Sequence, residues 1–283
     1  MFSRIKKIAP NRLKIALVRL YRKASNHQLR QSLDLLLFRK TPVIVYQMGK
    51  VGSSSIWQSL LTHQVMVYHC HSLNMDHLQG KRDKGTATEL TELSIWVYEH
   101  IVKPQRRAKY ITLVREPIEL NISRYFQNIE SIHHSEDPLV KLTLEELCED
   151  FIKNHSHSDY ALEWFDKEIQ EVLGIDVYDH PFPHEVGYQV IKNKHSELLI
   201  LRTDTPDPIK EAAIKDFVGL TDFSLATYNV GEDKKYSPVY RAFKAQIHLP
   251  ADDIDKNCQS RLMRHFFLKE EVDAVRAKWL RMT

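Results

Sequence analysis

A β-branched apolar run, broken by two glycines and followed by three consecutive serines, constrains this chain of 283 residues more than any other stretch. Val43, Ile44 and Val45 have the character of a buried strand. Gly49 and Gly52 interrupt the run, and a helical pattern through Trp57, Leu60 and Leu61 begins at Ser53. The expectation is a strand, a tight loop and a helix. The first turn of a helix carries N–H groups with no partner inside the helix, and here Ser53, Ser54, Ser55 and the Lys50 ammonium converge on the same place. Such a concentration of donors and positive charge attracts a phosphate group.

A second stretch, YITLVREPIELNISRYFQNI from Tyr110, has the same strand-to-helix form. Ile111, Leu113 and Val114 make a short apolar strand that stops at Arg115, and Pro117 suits the first helical turn because its missing N–H is not needed there. Ser123 follows on the predicted helix, eight positions after Arg115. One side chain from a strand end and one from the next helix would clamp a single anion.

Both stretches resemble known motifs. No Gly-Lys-Ser/Thr closes the first loop, so it departs from the Walker A pattern. It resembles instead the 5′-phosphosulfate loop of sulfotransferases that use 3′-phosphoadenosine 5′-phosphosulfate (PAPS), and Arg115 with Ser123 resembles the 3′-phosphate motif of the same enzymes. The resemblance implies a three-layer α/β/α fold with a central parallel sheet, a P-loop-like strand–loop–helix that binds PAPS, and helical insertions. It assigns donor binding to Lys50, Gly52, Ser53, Ser54, Ser55, Arg115 and Ser123.

After the first helix, VMVYHCH predicts a second strand from Val65 running into His69 and His71. Alternation along a strand puts the two histidines on one side with Cys70 turned away. In a parallel sheet they would stand on the same carboxyl-end rim as the phosphate loop, placed to take a proton from a sugar hydroxyl. The His-x-His resembles the pair in uronosyl 2-O-sulfotransferases, which implies His71 as catalytic base and His69 as helper; Lys50 of the phosphate loop is expected to stabilise the leaving group. The pair lacks a third ligand at metal-binding spacing, so no metal is expected.

Charge is unevenly distributed. Residues 1–40 hold eleven Lys and Arg against Asp34 alone, a net of +10, which leaves −7 on the other residues from a total of +3. Leu13, Leu17 and Leu20 and then Leu29, Leu33, Leu36 and Leu37 form an apolar stripe at helical spacing. The arm reads either as an amphipathic helix on an anionic membrane surface or as a helix packed on the body with a solvated basic face. Nucleic acid is not expected, because the arm has few aromatic residues and no nucleic-acid motif. No apolar run approaches the ~20 residues of a membrane span. Three cysteines, Cys70, Cys148 and Cys258, fit a reducing compartment better than a disulfide framework. The chain is therefore expected in the cytoplasm, with the inner face of the cell membrane as the site of any peripheral attachment.

Residues 41–283 read as one α/β domain. Thr88 to Lys103, Thr143 to Lys153 and Asp159 to Leu173 have helical patterns, with the latter two forming a helical insertion, and Ser131 to Lys141, with His133 and His134, reads as an exposed loop. IDVYDHPFP, HEVGYQVIKN and ELLILRTDT predict three further strands, the last ending at Arg202 as the earlier one ends at Arg115, and Asp207 to Leu220 predicts a helix.

From Asn229 the chain reads NVGEDKKYSPVYRAFK. Asp233-Lys234-Lys235-Tyr236-Ser237, followed by Tyr240, Phe243 and Lys244, resembles the signature of a family of capsular polysaccharide synthesis proteins, and the likeness extends over about residues 41 to 281. Asp233 and Lys235 depart from the signature's asparagine and tryptophan, whereas Lys234 is kept and is implied as a further donor-binding cation. The resemblance implies transfer of a sulfuryl group from PAPS to a glycan or a lipid-linked sugar. A nucleotide-dependent kinase of related fold, or a non-enzymatic component of a polysaccharide-synthesis assembly, are the alternative readings.

Overall fold

The computed structural model describes residues 41–133, 141–226 and 237–281. The basic arm of residues 1–40, the loop residues His134, Glu136, Asp137 and Pro138, and the stretch holding Asp233, Lys234, Lys235 and Tyr236 lie outside the described residues.

Five strands form one sheet in the order β2-β1-β3-β5-β4. They are β1 (Val43–Tyr46), β2 (Val67–Cys70), β3 (Ala108–Val114), β4 (Tyr188–Lys192) and β5 (Ser196–Arg202). The pairs β1–β2, β1–β3 and β3–β5 are parallel. Every residue of β1 is buried, as are the last five of both β3 and β5. Strands that bury consecutive side chains are covered on both faces, which is why they read as unbroken apolar runs in the sequence.

Two expectations are corrected. The sheet is mixed, because β4 runs antiparallel to β5. Its connection is too short for a parallel crossover, which needs a dozen or more residues. Asn193 closes it as a turn, its side-chain oxygen accepting from the N–H groups of His195 (3.0 Å) and Ser196 (2.8 Å). The strand predicted at IDVYDHPFP is absent: Asp176 accepts from the Tyr178 N–H at 2.9 Å and starts a 3-10 turn, Val177–Asp179. Pro181 and Pro183 have no N–H to offer a ladder.

The helices begin where local chemistry dictates. α1 (Ser53–Thr62) follows Gly52, whose φ of 82° is left-handed. Open space surrounds a Cβ built there, so backbone conformation and not crowding calls for glycine. Asn74 caps α2 (Met75–Asp83), and Thr88 closes a capping box on α3 (Glu89–Val97), which continues as a π-helical turn over Tyr98–Val102. α4 (Pro117–Ile132) has proline in its first turn, and Glu116 accepts from the N–H groups of Ile118 and Glu119. Thr143 and Glu146 cap α5 (Leu144–Asn154). α6 starts at Tyr160–Trp164, widens into a π-helical turn at Phe165–Gln170 and closes at Glu171–Leu173. Beyond β5 come α7 (Asp207–Val218), α8 (Ser237–Gln246), α9 (Ala251–Cys258), α10 (Arg261–Phe266) and α11 (Lys269–Arg281).

α4 separates two apolar cores. Leu120 joins the core around the sheet, whereas Ile118, Ile122, Tyr125, Phe126 and Ile129 pack with Phe151, Phe243, Ile254 and Trp279 of α5, α8, α9 and α11. The helical insertion is thus anchored by the same helix that starts behind Arg115. No described helix is long and apolar enough to cross a membrane.

Candidate functional site

The chain leaves β1 for β2 on one side and later returns to β3 on the other, so strand order reverses beside β1. In open α/β sheets, the crevice at such a switch point, outside the carboxyl ends of the strands, is where ligands bind. A cleft of about 430 Å³ opens there, lined by Lys50, Gly52 and Ser55 after β1, Arg115 after β3, and Thr203, Asp204 and Lys210 after β5.

Several features make this cleft fit an anionic ligand. Its size falls within the usual range for small-molecule sites. The residue before α1 is glycine, so no side chain caps the first turn, and the positive end of the helix borders the cleft. Lys50 has φ of 72°, a left-handed conformation uncommon outside glycine and often found at functional loops. Arg115 donates to the Lys50 carbonyl at 2.7 Å and lies 3.5 Å from Glu119. The carboxylates at the cleft are engaged: Asp204 pairs with Arg202 at 2.6 Å and Asp207 with Lys210 at 2.8 Å. Among the described residues no group of three or more His, Cys, Asp or Glu is arranged to hold a metal.

A second cleft, of about 660 Å³, has His71 in its wall together with Lys81, Arg124, Tyr160 and Glu168. His69 and His71 stand side by side as expected, their rings 4.7 Å apart and edge-on. They differ in role. His69 is turned to the loop, with Nε2 3.0 Å from the Ser53 hydroxyl and its ring stacked on Trp57 at 5.6 Å. His71 places Nδ1 3.1 Å from the Gln47 carbonyl. A carbonyl only accepts, so Nδ1 carries the proton and Nε2 is left with its lone pair. Burial holds His71 below the ordinary histidine range, with Lys81 adding to the effect. A neutral imidazole with a bare Nε2 is the form a general base requires.

The two clefts share a wall. Gly49 N–H donates to the Tyr160 hydroxyl at 3.3 Å on one side, and the next residue, Lys50, lines the 430 Å³ cleft on the other. The Lys50 ammonium donates to Gln127 of α4 at 3.0 Å.

Of the residues singled out from the sequence, Lys50, Gly52, Ser55 and Arg115 come together in one cleft and His71 stands in the other. Ser53 connects α1 to His69 and does not line either cleft, nor do Ser54 and Ser123. Lys234 lies outside the described residues. Arg202, which the sequence pairs with Arg115 by position, is a structural residue. Its guanidinium donates to Asp204, Glu271 and the Phe266 carbonyl and packs over Phe267.

Sequence reasoning missed Glu168 and Arg124. Glu168 sits in the π-helical turn of α6, and its Oε2 accepts from the Tyr46 hydroxyl (2.6 Å) and from the N–H groups of Leu73 (2.9 Å) and Asn74 (3.1 Å). It ties β1 to the loop that follows His71. A glutamate in an otherwise apolar helical face was the available signal. The Gln47 side chain is fully buried, and neither of its amide atoms has a partner among the described residues.

The site also sets a pH dependence of stability. Burial, with a smaller contribution from His71, pushes His69 down to about 3, against 6.5 for an ordinary histidine. The unfolded chain takes up the proton first, so this stability is fully present above pH 6.5 and is lost as the pH falls toward 3. Glu116 acts in the opposite sense: pushed up to about 7 by burial from 4.5, it favours folding below 4.5 and loses that contribution as the pH rises through 7. His69→Asn isolates the first effect. The difference in urea-unfolding free energy between wild type and His69→Asn is expected to shrink from pH 6.5 downward, by at most about 1.4 kcal/mol per pH unit. A difference that stays constant from pH 7 to 4.5 would exclude a buried neutral His69.

Taken together, the described residues define a mixed α/β protein with a cleft at a sheet switch point. Residues 139–268 match the family described as "Putative capsular polysaccharide synthesis protein". The match covers somewhat under half of the chain and is narrower than the 41 to 281 span the sequence suggests. It takes in Tyr160, Glu168 and Arg202 and begins after Lys50, His71 and Arg115. No curated protein and no solved structure matches the chain significantly.

Proposed function

We propose that the protein is a sulfotransferase that moves a sulfuryl group from PAPS to a hydroxyl of a glycan in capsular polysaccharide synthesis. The observation that carries this reading is the His71 Nδ1 contact with the Gln47 carbonyl, which ties a neutral base to the loop that leads to Lys50 and α1. Arg115 and the α1 N-terminus would hold the donor's phosphates in the 430 Å³ cleft. PAPS supplies an activated sulfuryl group and a stable leaving group.

In the reaction the acceptor oxygen forms a bond to sulfur as the bond from sulfur to the bridging phosphate oxygen breaks. His71 Nε2 takes the acceptor's proton. Lys50 and the first-turn N–H groups of α1 meet the negative charge that builds on the departing oxygen, and one preorganised donor of this kind typically supplies about 3 kcal/mol. Ser53 and Trp57 hold His69, which fixes the second ring against the first. The likeness to the capsular polysaccharide family supports a glycan acceptor. Attachment of the basic arm to the inner membrane surface would bring the enzyme to lipid-linked acceptors.

The test is thermal stability with 3′-phosphoadenosine 5′-phosphate (PAP), AMP and magnesium ATP, on wild type and Arg115→Ala. PAP at a hundred times its Kd is expected to stabilise wild type by about 2.7 kcal/mol and Arg115→Ala by much less. A shift with magnesium ATP alone would replace the proposal with a kinase. No shift with any of the three would leave a non-enzymatic component as the better reading.

A further inference from the structure

We propose that Lys244 and Lys278 are positioning residues for the 430 Å³ cleft: by neutralising Glu119 they leave Arg115 to a phosphate group of the ligand. The inference deepens the donor-site reading by naming what tunes that site, and it rests on that reading for taking the ligand to be a phosphate compound.

Glu119 lies in the first turn of α4, four positions after Arg115. A guanidinium and a carboxylate so placed tend to close into a pair joined by two parallel hydrogen bonds. Here one guanidinium nitrogen lies 3.5 Å from Glu119 Oε2, and the other donates to the Lys50 carbonyl at 2.7 Å. The Glu119 oxygens are engaged instead by lysines from two distant helices. The Lys244 ammonium of α8 stands 2.7 Å from Oε1 and 2.9 Å from Oε2, and the Lys278 ammonium of α11 donates to Oε1 at 2.6 Å. Burial acts to raise Glu119, but the hydrogen bonds and charges of these two lysines outweigh it and hold the carboxyl below the ordinary glutamate range. Glu116, the other carboxylate of this turn, accepts from the N–H groups of Ile118 and Glu119.

Position separates these groups by role. Arg115 lines the cleft, whereas Glu119, Lys244 and Lys278 do not, so the lysines act on a ligand there through Arg115. Asp204 and Asp207, the carboxylates that do line the cleft, pair with Arg202 and Lys210. Glu119 is mostly buried, where its charge is poorly screened by water and salt. Without the two ammonium groups it would close on Arg115 and both compete with a phosphate for the guanidinium and repel it. Lys244, the last residue of the string that resembles the capsular polysaccharide signature, thereby acquires a task that its position in the sequence does not reveal.

The experiment is calorimetric titration of the full chain with PAP and, separately, with inorganic pyrophosphate. Wild type is expected to bind both, and Arg115→Ala to lose both. Lys244→Met combined with Lys278→Met should weaken both by about tenfold, and adding Glu119→Gln should restore them to within about threefold of wild type, because the carboxylate that captured Arg115 is gone. Asp255→Asn, which removes a carboxylate from the Arg276 pair between α9 and α11, controls for net charge and should restore nothing. A loss that Glu119→Gln does not restore would mean that the lysines touch the ligand themselves, and equal restoration by Asp255→Asn would reduce the effect to net charge; either overturns the proposal. So would unchanged affinity in the lysine variant or in Arg115→Ala, or binding of neither anion to wild type. Should the double lysine variant fail to fold, Lys278→Met alone, at a side chain 46% exposed, with and without Glu119→Gln, carries the same comparison. PAP binding without restoration refutes this inference alone, and pyrophosphate binding that is lost and restored as expected, with no affinity for PAP, refutes the sulfotransferase reading alone.

Discussion

On the proposed sulfotransferase reading, replacing His71 with asparagine is expected to lower kcat for sulfuryl transfer by about 10² to 10⁴, the usual contribution of a positioned general base. Asparagine is the informative substitution because its side-chain N–H can still donate to the Gln47 carbonyl, while it offers no basic nitrogen at the Nε2 position. The loop is thereby left tied, and PAP stabilisation should be unchanged. Transfer is measured as PAP released from PAPS in the presence of glycan acceptor. The pH profile supplies an independent readout. Since burial holds His71 below the ordinary histidine value, the wild-type rate should stay level through neutral pH and fall on the acid side with a midpoint below 6.5. In His71→Asn that acid limb should vanish from the residual rate. A loss of less than tenfold, or an acid limb that persists, would remove His71 from the role of base.

The second large effect concerns folding. Glu168→Ala is expected to destabilise the protein by about 3 to 5 kcal/mol, because the Tyr46 hydroxyl and the Leu73 and Asn74 N–H groups lose a charged acceptor, at about 1 to 3 kcal/mol for each donor left without a partner. Glu168 is only 8% exposed, and one of its oxygens serves the Tyr46 hydroxyl and two backbone N–H groups. Burial and the adjacent carboxylate raise the Tyr46 hydroxyl well above the ordinary tyrosine range, so it is a donor at neutral pH. Tyr46→Phe removes one of the three donors and should cost about 1 kcal/mol. The double variant should cost less than the two losses added, because each removes part of the same network. Urea unfolding of the four proteins gives all of these values. A loss below about 1 kcal/mol for Glu168→Ala would mean that water replaces the carboxylate and that the cleft wall is open to solvent. Since Glu168 also holds Leu73 and Asn74 in place behind His71, a milder Glu168→Gln variant should retain the fold and lower kcat more than it raises KM.

Much of the local structure is legible in consecutive residues. The run Val43 to Val45, the glycine at 52 and the serines that follow specify a strand, a left-handed turn and a helix start, because each depends on side chains within a few positions of one another. Pro117 behind Arg115, and the Thr143 and Glu146 pair, mark helix starts for the same reason. The His69 and His71 rings meet on one side, as strand alternation predicts, although β2 ends at Cys70. Where two signals compete over a short range, sequence reasoning fails: IDVYDHPFP has the apolar content of a strand, but Asp176 satisfies a nearby backbone donor and the prolines remove others.

Tertiary structure decided what those local pieces do. Arg115 and Arg202 both end apolar strands, yet one reaches the Lys50 carbonyl beside an open cleft and the other is consumed by Asp204 and Glu271. Glu168 meets Tyr46 across 122 positions. The separate tasks of the two histidines follow from what faces each ring: Ser53 and Trp57 for His69, the Gln47 carbonyl and the cleft for His71. Helix and strand starts are specified by interactions within one or two turns of chain, which the sequence displays directly. The charge state, partner and direction of a functional side chain depend on groups delivered by packing from distant segments, and that information appears only once the sheet and its covering helices have brought them together.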